Sequence, residues 1–447
     1  MVVSVYSKNL NIFNAEQFKE SVTETANTKL YFTIGRVEHW ANDSLPNQAN
    51  SSVTSLYEVY RNMIGGKRVT GNDMYHCIPR INWTQGVTYD SYDHCTCSLI
   101  LFDSNTKFYT VTPNWDVYKC ISNNGDRPSQ NVPTQKITSG VVQEVDGYIW
   151  KYMYSISPAE QLRFTTLEYI PVKTLSVNDN SLQWQVQQNA IDGGLEYIEV
   201  QNAGIGYSDN SKIWIAITGD GIGANAFAQT NTISNTISSI IIDRPGSGYT
   251  YANVRIVDDN GIYGAYAYGR AVISPPGGHG SDPLRELGGS NLMINIRLRY
   301  DEDGKLPTTN DFRQLALIKD PYQYSSTTIR SNTAITQLTT LTLSGVGDDD
   351  FSENEVVYQG TSLANAIFTG TVVAWDGSSQ LKLSNVSGTI EAQTLFGISS
   401  GATGVVSIPY TLPDLEPNSG QLLYIDNIQP ILRSSDQIED FKIVLKF

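Results

Sequence analysis

The chain has 447 residues, a formal net charge of -15, 40% hydrophobic and 17% charged residues, and 26 tyrosines. That length exceeds one ordinary hydrophobic core and predicts two or three domains, while the composition excludes a disordered chain. The acidic balance argues against nucleic-acid binding as the main business, since such surfaces carry a basic face and none stands out here.

The opening Met-Val-Val-Ser-Val-Tyr-Ser-Lys lacks the basic and apolar regions of a signal peptide. No apolar run approaches the roughly 20 residues of a membrane-spanning helix. Cys77, Cys95, Cys97 and Cys120 are too few for a disulfide framework in so long a chain. The expectation is a soluble protein of a reducing cytoplasm, with no membrane partner.

In chain order, Asn14–Val22 reads as a helix with Asn14 as N-cap and Gln17 in the capping-box position. Tyr31-Phe-Thr-Ile-Gly-Arg-Val-Glu-His-Trp40 reads as a strand that breaks at Gly35 and turns out a charged, aromatic corner. A second helix is expected from Val53 to Ile64, with Val53, Leu56, Tyr57, Tyr60 and Ile64 at helical spacing and Gly65-Gly66 as its stop. A short third one opens at Ser157-Pro-Ala-Glu160, where Ser caps, Pro takes the first turn and Glu reaches back.

Most of the rest alternates with period two. Tyr148, Trp150, Tyr152, Tyr154 and Ile156 share a face, as do Leu292, Ile294, Ile296, Leu298 and Tyr300. At the end, Phe441, Ile443, Leu445 and Phe447 oppose Lys442 and Lys446. Such strands are expected to bury one face and wet the other, as in antiparallel sandwiches.

Ile198–Tyr207, ending in Gly-Ile-Gly-Tyr, is echoed by Ile240–Tyr249, ending in Gly-Ser-Gly-Tyr. Ile213–Ile217 is echoed by Val254–Val257, a period of about 41 to 42 residues. Two copies are fewer than a free-standing solenoid needs, so they are expected to pack on each other or on the host domain. The Gly-x-Gly-Tyr element fits a tight turn and lacks the Gly-x-Gly-x-x-Gly spacing of a dinucleotide loop. Residues 336–408, low in charge, mark about five short strands around Leu341, Val356, Thr371, Leu381 and Val405, and read as a small β-barrel or sandwich.

No catalytic, metal or cofactor site is assigned. His76, Cys77, His94, Cys95, Cys97 and Cys120 carry zinc-type donors but lack paired Cys-x-x-Cys knuckles, and Cys95 and Cys97 fit the packed face of a strand. His279, Ser281 and Asp282 lie too close in sequence to converge as a triad from separate elements. Asp348-Asp-Asp350 with Glu353 and Glu355 lacks the calcium-loop pattern and reads as a solvated turn. Arg36 with Trp40 and Arg80 with Trp83 stand beside turns and are the candidate structural corners or partner contacts.

Taken in order, several pieces resemble the baseplate wedge subunits called gene product eight in T-even-like contractile phages. They are Phe32-Thr-Ile-Gly-Arg36 with Trp40, the helix from Val53, Ile78-Pro-Arg80 with Trp83, and Val117-Tyr-Lys-Cys120. Then come Asp146-Gly-Tyr-Ile-Trp150 with Tyr152, Phe312-Arg-Gln314 with Asp320-Pro321, and Leu423-Tyr-Ile-Asp-Asn427. The likeness covers about 1–194, 286–335 and 409–447. Residues 195–285 and 336–408 look like insertions, similar to decorations of virion proteins in marine T-even-like phages such as cyanophages.

The resemblance implies a layered antiparallel β-sandwich core with a few helices in end loops, plus two small inserted β modules. It implies a homodimer in the virion tail baseplate, assembled in the host cytoplasm and joined to wedge subunits equivalent to gene products six, seven and ten. It further implies a structural, non-enzymatic role that supports the switch to sheath contraction. The alternatives are a trimeric glycan-binding tail-fibre adhesin, and a polysaccharide-degrading enzyme, which needs paired carboxylates in a groove.

Overall fold

The computed structural model describes residues 7–24, 28–95, 105–207, 213–231, 233–256 and 267–447. The protein is mainly β, with several antiparallel sheets, a closed barrel and a few helices. It packs as two compact units, the first formed by Met1–Glu16, Tyr75–Met293 and Val444–Phe447, the second by Gln17–Met74 and Ile294–Ile443. No helix among the described residues is long and apolar enough to cross a membrane.

The helices correct the sequence reading at two places. The first runs Lys8–Thr23, so Asn14 lies inside it rather than capping it. Ile12 is fully buried in the apolar cluster around Ile78, Met153 and Ile170, which favours the extra turns ahead of Asn14. The second runs Val53–Asn62, capped by Ser52, and the chain enters a strand at Met63. The third, Pro158–Phe164, has the expected capping box between Ser157 and Glu160. A further helix, Leu182–Gln188 with Ser181 as its cap, has no counterpart in that reading.

In the first unit a four-stranded antiparallel sheet is ordered Tyr109–Val111, Asp116–Ser122, Ile149–Ser155, Val142–Gln143. Tyr148, Trp150 and Tyr152 pack with Tyr89, Tyr118 and Val186, and Tyr148 stacks on Trp150 at 5.4 Å. The face expected to be wet is buried as well: Lys151 and Met153 are both 0% exposed, and Met153 belongs to a separate apolar cluster.

The two repeat copies form one six-stranded sheet in the first unit. Copy one contributes Leu195–Asn202, Ile213–Gly219 and Ile222–Asn231; copy two contributes Thr236–Ser247, Ala252–Ile256 and Tyr268–Ile273. The middle strands pair with each other, Ile215 opposite Ile256 and Ile217 opposite Val254. Each middle strand then pairs with its own third strand, and each third strand pairs with the first strand of the other copy. The copies therefore exchange their first strands about a pseudo-two-fold axis. Tyr207 and Tyr249 both enter the shared core, behind turns in which Gly204, Gly206, Gly246 and Gly248 all take positive φ.

The second unit holds a five-stranded antiparallel sheet ordered Ala334–Thr336, Met63–Val69, Leu30–Gly35, Asp311–Lys319, Gln421–Leu432. Gly65 and Gly66 sit inside its second strand instead of ending a helix. A Cβ on Gly66 would stand 2.2 Å from the Phe32 carbonyl oxygen and 2.9 Å from the Thr33 Cα, so backbone proximity requires glycine there. Gly66→Ala is expected to cost about 1–3 kcal/mol or more, because the backbone itself must move. A denaturant midpoint equal to that of the wild type refutes this.

Also in the second unit, Thr339–Ser344, Val356–Gly360, Ala366–Trp375, Gln380–Gly388, Thr394–Gly397 and Thr403–Thr411 close into a six-stranded barrel. Leu341, Val357, Val372, Leu381, Leu383 and Leu395 fill its interior. The strand Thr394–Gly397 is the one that the sequence pattern missed.

Candidate functional site

Arg36 and Trp40 lie in the second unit, where the chain leaves its central strand. Arg36 takes φ 59 and its amide donates to the Asn62 carbonyl at 2.8 Å. Its guanidinium lies 3.9 Å from the centre of the Trp40 ring, a cation–π contact. Trp40 is 8% exposed, and its Nε1 donates to the Ile428 carbonyl at 3.1 Å. Asn427 and Gln429 side chains reach the Asn47 and Ser44 carbonyls at 2.9 and 3.0 Å, so this loop covers part of the sheet's edge strand. Leu45 at its tip is 74% exposed.

The hub of this corner is Arg313, which the sequence reading quotes within Phe312-Arg-Gln314 but does not name among the corner residues. It is 1% exposed and forks onto Asp311 at 2.7 and 2.8 Å, onto Asp43 at 3.0 Å through two nitrogens, and onto the Val37 carbonyl at 2.7 Å. The Arg313 guanidinium, then His39, hold the Asp43 carboxyl well below the usual range. The signal was present: Asp311 and Arg313 are charges at alternate positions at the start of a strand whose following residues, Gln314 to Ile318, are apolar or amide.

Arg80 and Trp83 lie in the first unit. Arg80 donates to the Asn82 Oδ1 at 2.8 Å and the Thr166 carbonyl at 3.1 Å, and its guanidinium faces the ring of Trp115 at 4.8 Å rather than Trp83. Trp83 is half-buried and donates from Nε1 to Ser129 Oγ at 3.3 Å. The structure thus joins Arg36 to Trp40 directly and gives Arg80 and Trp83 different partners.

His279, Ser281 and Asp282, weighed as a triad, and Asp350, Glu353 and Glu355, weighed for calcium, have other partners. His279 is 0% exposed; Ser281 donates to the Gly278 carbonyl, and Asp282 caps the amide of Arg285, so no triad forms. Asp350 accepts from Trp375 Nε1, Glu353 from Thr309, and Glu355 from Ser352, Ser399 and Ser400. Cys77 and Cys120 are buried apart from Cys95, and burial pushes the Cys77 thiol up to about 12. Cys95 sits in a turn rather than on a strand, and Cys97 lies outside the described residues.

His279 belongs to a buried charge network in the first unit. Its Nδ1 is 3.2 Å from Lys119 Nζ, which donates to Glu286 Oε2 at 2.8 Å and lies 4.3 Å from the centre of the Tyr92 ring. Glu286 Oε1 also accepts from the Gly280 amide at 2.7 Å. Lys151, inside the neighbouring strand, bonds the Gly140 carbonyl at 2.9 Å and approaches Glu196 at 3.4 Å. Burial opposes ionisation of Glu286, but the Lys119 ammonium and His279 outweigh it and hold the carboxyl at about 2. Burial, then Lys119, lowers His279 below its ordinary 6.5.

The sign for pH follows. Below about 6.5 the unfolded His279 takes a proton that the folded one resists, and below about 4.5 the same holds for Glu286, so stability falls with pH in two stages. Urea midpoints at pH 7.5, 5.5 and 4 are expected to descend in that order. His279→Gln should flatten the upper step, leaving the contribution of His94, whose pKa burial also lowers. An unchanged upper step in that variant contradicts the assignment.

No protein-family model matches the chain. By sequence it is similar to the baseplate wedge protein gp8 of Enterobacteria phage T4, with 23% identity over 194 residues, which covers 36% of this chain and 58% of that protein. The chain thus spans less than two thirds of that relative's length.

Proposed function

We propose that the protein is a structural, non-enzymatic subunit of a phage tail baseplate wedge. The observation that carries this reading is the similarity to the phage T4 wedge protein. The geometry is in keeping with it, since the buried polar groups serve packing and the two Arg–Trp regions brace chain corners. In this reading the chain forms a homodimer and joins neighbouring wedge subunits equivalent to gene products six, seven and ten. It then supports the rearrangement that triggers sheath contraction. The segments 195–285 and 336–408 are additions to the wedge core. Association buries apolar and aromatic patches, and polar rims set orientation.

The test is sedimentation of the purified chain, alone and mixed with the other wedge subunits. A dimer that enters a larger complex only with those partners supports the reading. A stable trimer that ignores them and binds glycans favours the tail-fibre adhesin instead. The corner residues are tested by Arg36→Ala, Trp40→Ala, Arg80→Ala and Trp83→Ala. Each is expected to weaken folding or wedge assembly, and variants that leave both intact remove these residues from the proposal.

A further inference from the structure

One group of donors in the first unit is used by none of the packing described above. Asp93, His94 and Cys95 each place a ligand atom within 4.8 Å of the others, and among the described residues no other trio of His, Cys, Asp or Glu does so. The sequence offers His76, Cys77, Cys97 and Cys120 as further zinc-type donors beside His94 and Cys95, and its spacing assigns them no site. The structure buries His76, Cys77 and Cys120 elsewhere, with the His76 ring on the Gly289 carbonyl, and puts Asp93 in their place.

We propose that Asp93, His94 and Cys95 bind a thiophilic divalent cation of the zinc class, with the fourth position left to water or another donor. Thiolate and imidazole select such a metal over calcium or magnesium, which take oxygen cages. The Cys95 amide donates to Asp93 Oδ1 at 2.9 Å, folding the tripeptide so that carboxylate and thiol lie on one side. Arg270 Nη1 bonds the same oxygen at 3.0 Å, and that oxygen lies 3.8 Å from His94 Nδ1. Arg270 also lies 3.4 Å from Glu199, so its charge is shared and opposes the cation less.

His94 Nδ1 accepts only a long 3.4 Å bond from the Ile273 amide. A neutral imidazole nitrogen is an ordinary ligand for such a metal. Bonds of about 2.0–2.3 Å to tetrahedral zinc put ligand atoms about 3.3–3.8 Å apart, so the trio must close by about an ångström. The exposed Cys95 side chain has room to supply that movement. On binding, the thiol proton passes to solvent, and one carboxylate and one thiolate balance the two positive charges.

The full chain, reduced and stripped of metal, is titrated with Co²⁺ and followed by absorbance. The expected result is saturable binding of a single Co²⁺ with a thiolate charge-transfer band and tetrahedral visible bands, reversed by Zn²⁺. Cys95→Ser is expected to remove the charge-transfer band, and His94→Gln to weaken binding at least about tenfold. Both should keep the thermal midpoint of the metal-free wild type, which separates lost ligation from lost fold. Absence of saturable binding overturns the proposal, and so does a charge-transfer band that survives Cys95→Ser.

Discussion

Replacing Lys119 with methionine is expected to lower stability by about 3–5 kcal/mol, the cost of leaving a buried carboxylate without its cation. Lys119 is 1% exposed, and the side chain of Glu286, whose carboxyl stays ionised down to about 2, is 5% exposed. The methylene stem is replaced by a side chain of similar volume, so packing is disturbed little and the charge is what is lost. Adding Glu286→Gln keeps an acceptor for the Gly280 amide but removes the orphaned charge. The double variant is expected to recover about 1–3 kcal/mol of that loss. Because the chain has two units, the readout is hydrogen exchange at amides of Asp116–Ser122 rather than one global midpoint. Equal damage in single and double variants would place the effect in packing instead.

A comparable loss is expected in the second unit from Arg433→Met. Arg433 is 3% exposed; its Nε donates to Glu439 Oε1 at 3.0 Å, and its other nitrogens reach the carbonyls of Pro307 and Tyr300. One guanidinium thus ties the turn between the last two strands to the loop 300–310. Its removal strands a buried carboxylate and two carbonyls, at about 3–5 kcal/mol. Arg433→Lys should recover little, since an ammonium cannot span the same fork. Protection of amides in Gln421–Leu432 is the measurement, and wild-type protection in Arg433→Met contradicts the account.

What could be read from the sequence was mostly local. The Ser157–Glu160 capping box, the alternating strands and the Gly-x-Gly-Tyr turns depend on neighbours a few residues away, and the structure has them. Gly65-Gly66 misled because a glycine pair after a helical pattern satisfies the rule for a stop. What decides its role is the Phe32 backbone on an adjacent strand, which no local pattern reveals. Lys119, Lys151 and Arg313 were legible only as charges inside strand patterns. Assigning them to water is the ordinary outcome, and their partners Glu286, Glu196 and Asp43 are 167, 45 and 270 residues away. The Arg36 and Trp40 contact spans a single turn and was within reach; the hub that holds their loop was not.

The exchange of first strands between the two repeat copies constrains how such a module is inherited. Neither copy contains all the strands that its own sheet uses, so deleting one half leaves the survivor with a vacant lane rather than a smaller complete fold. A lone copy would have to borrow its missing strand from a second polypeptide, and duplication within one gene turns that loan between molecules into an internal arrangement. The pair is therefore a unit of gain and loss, and a truncation after Asn231 is an invitation to intermolecular strand pairing.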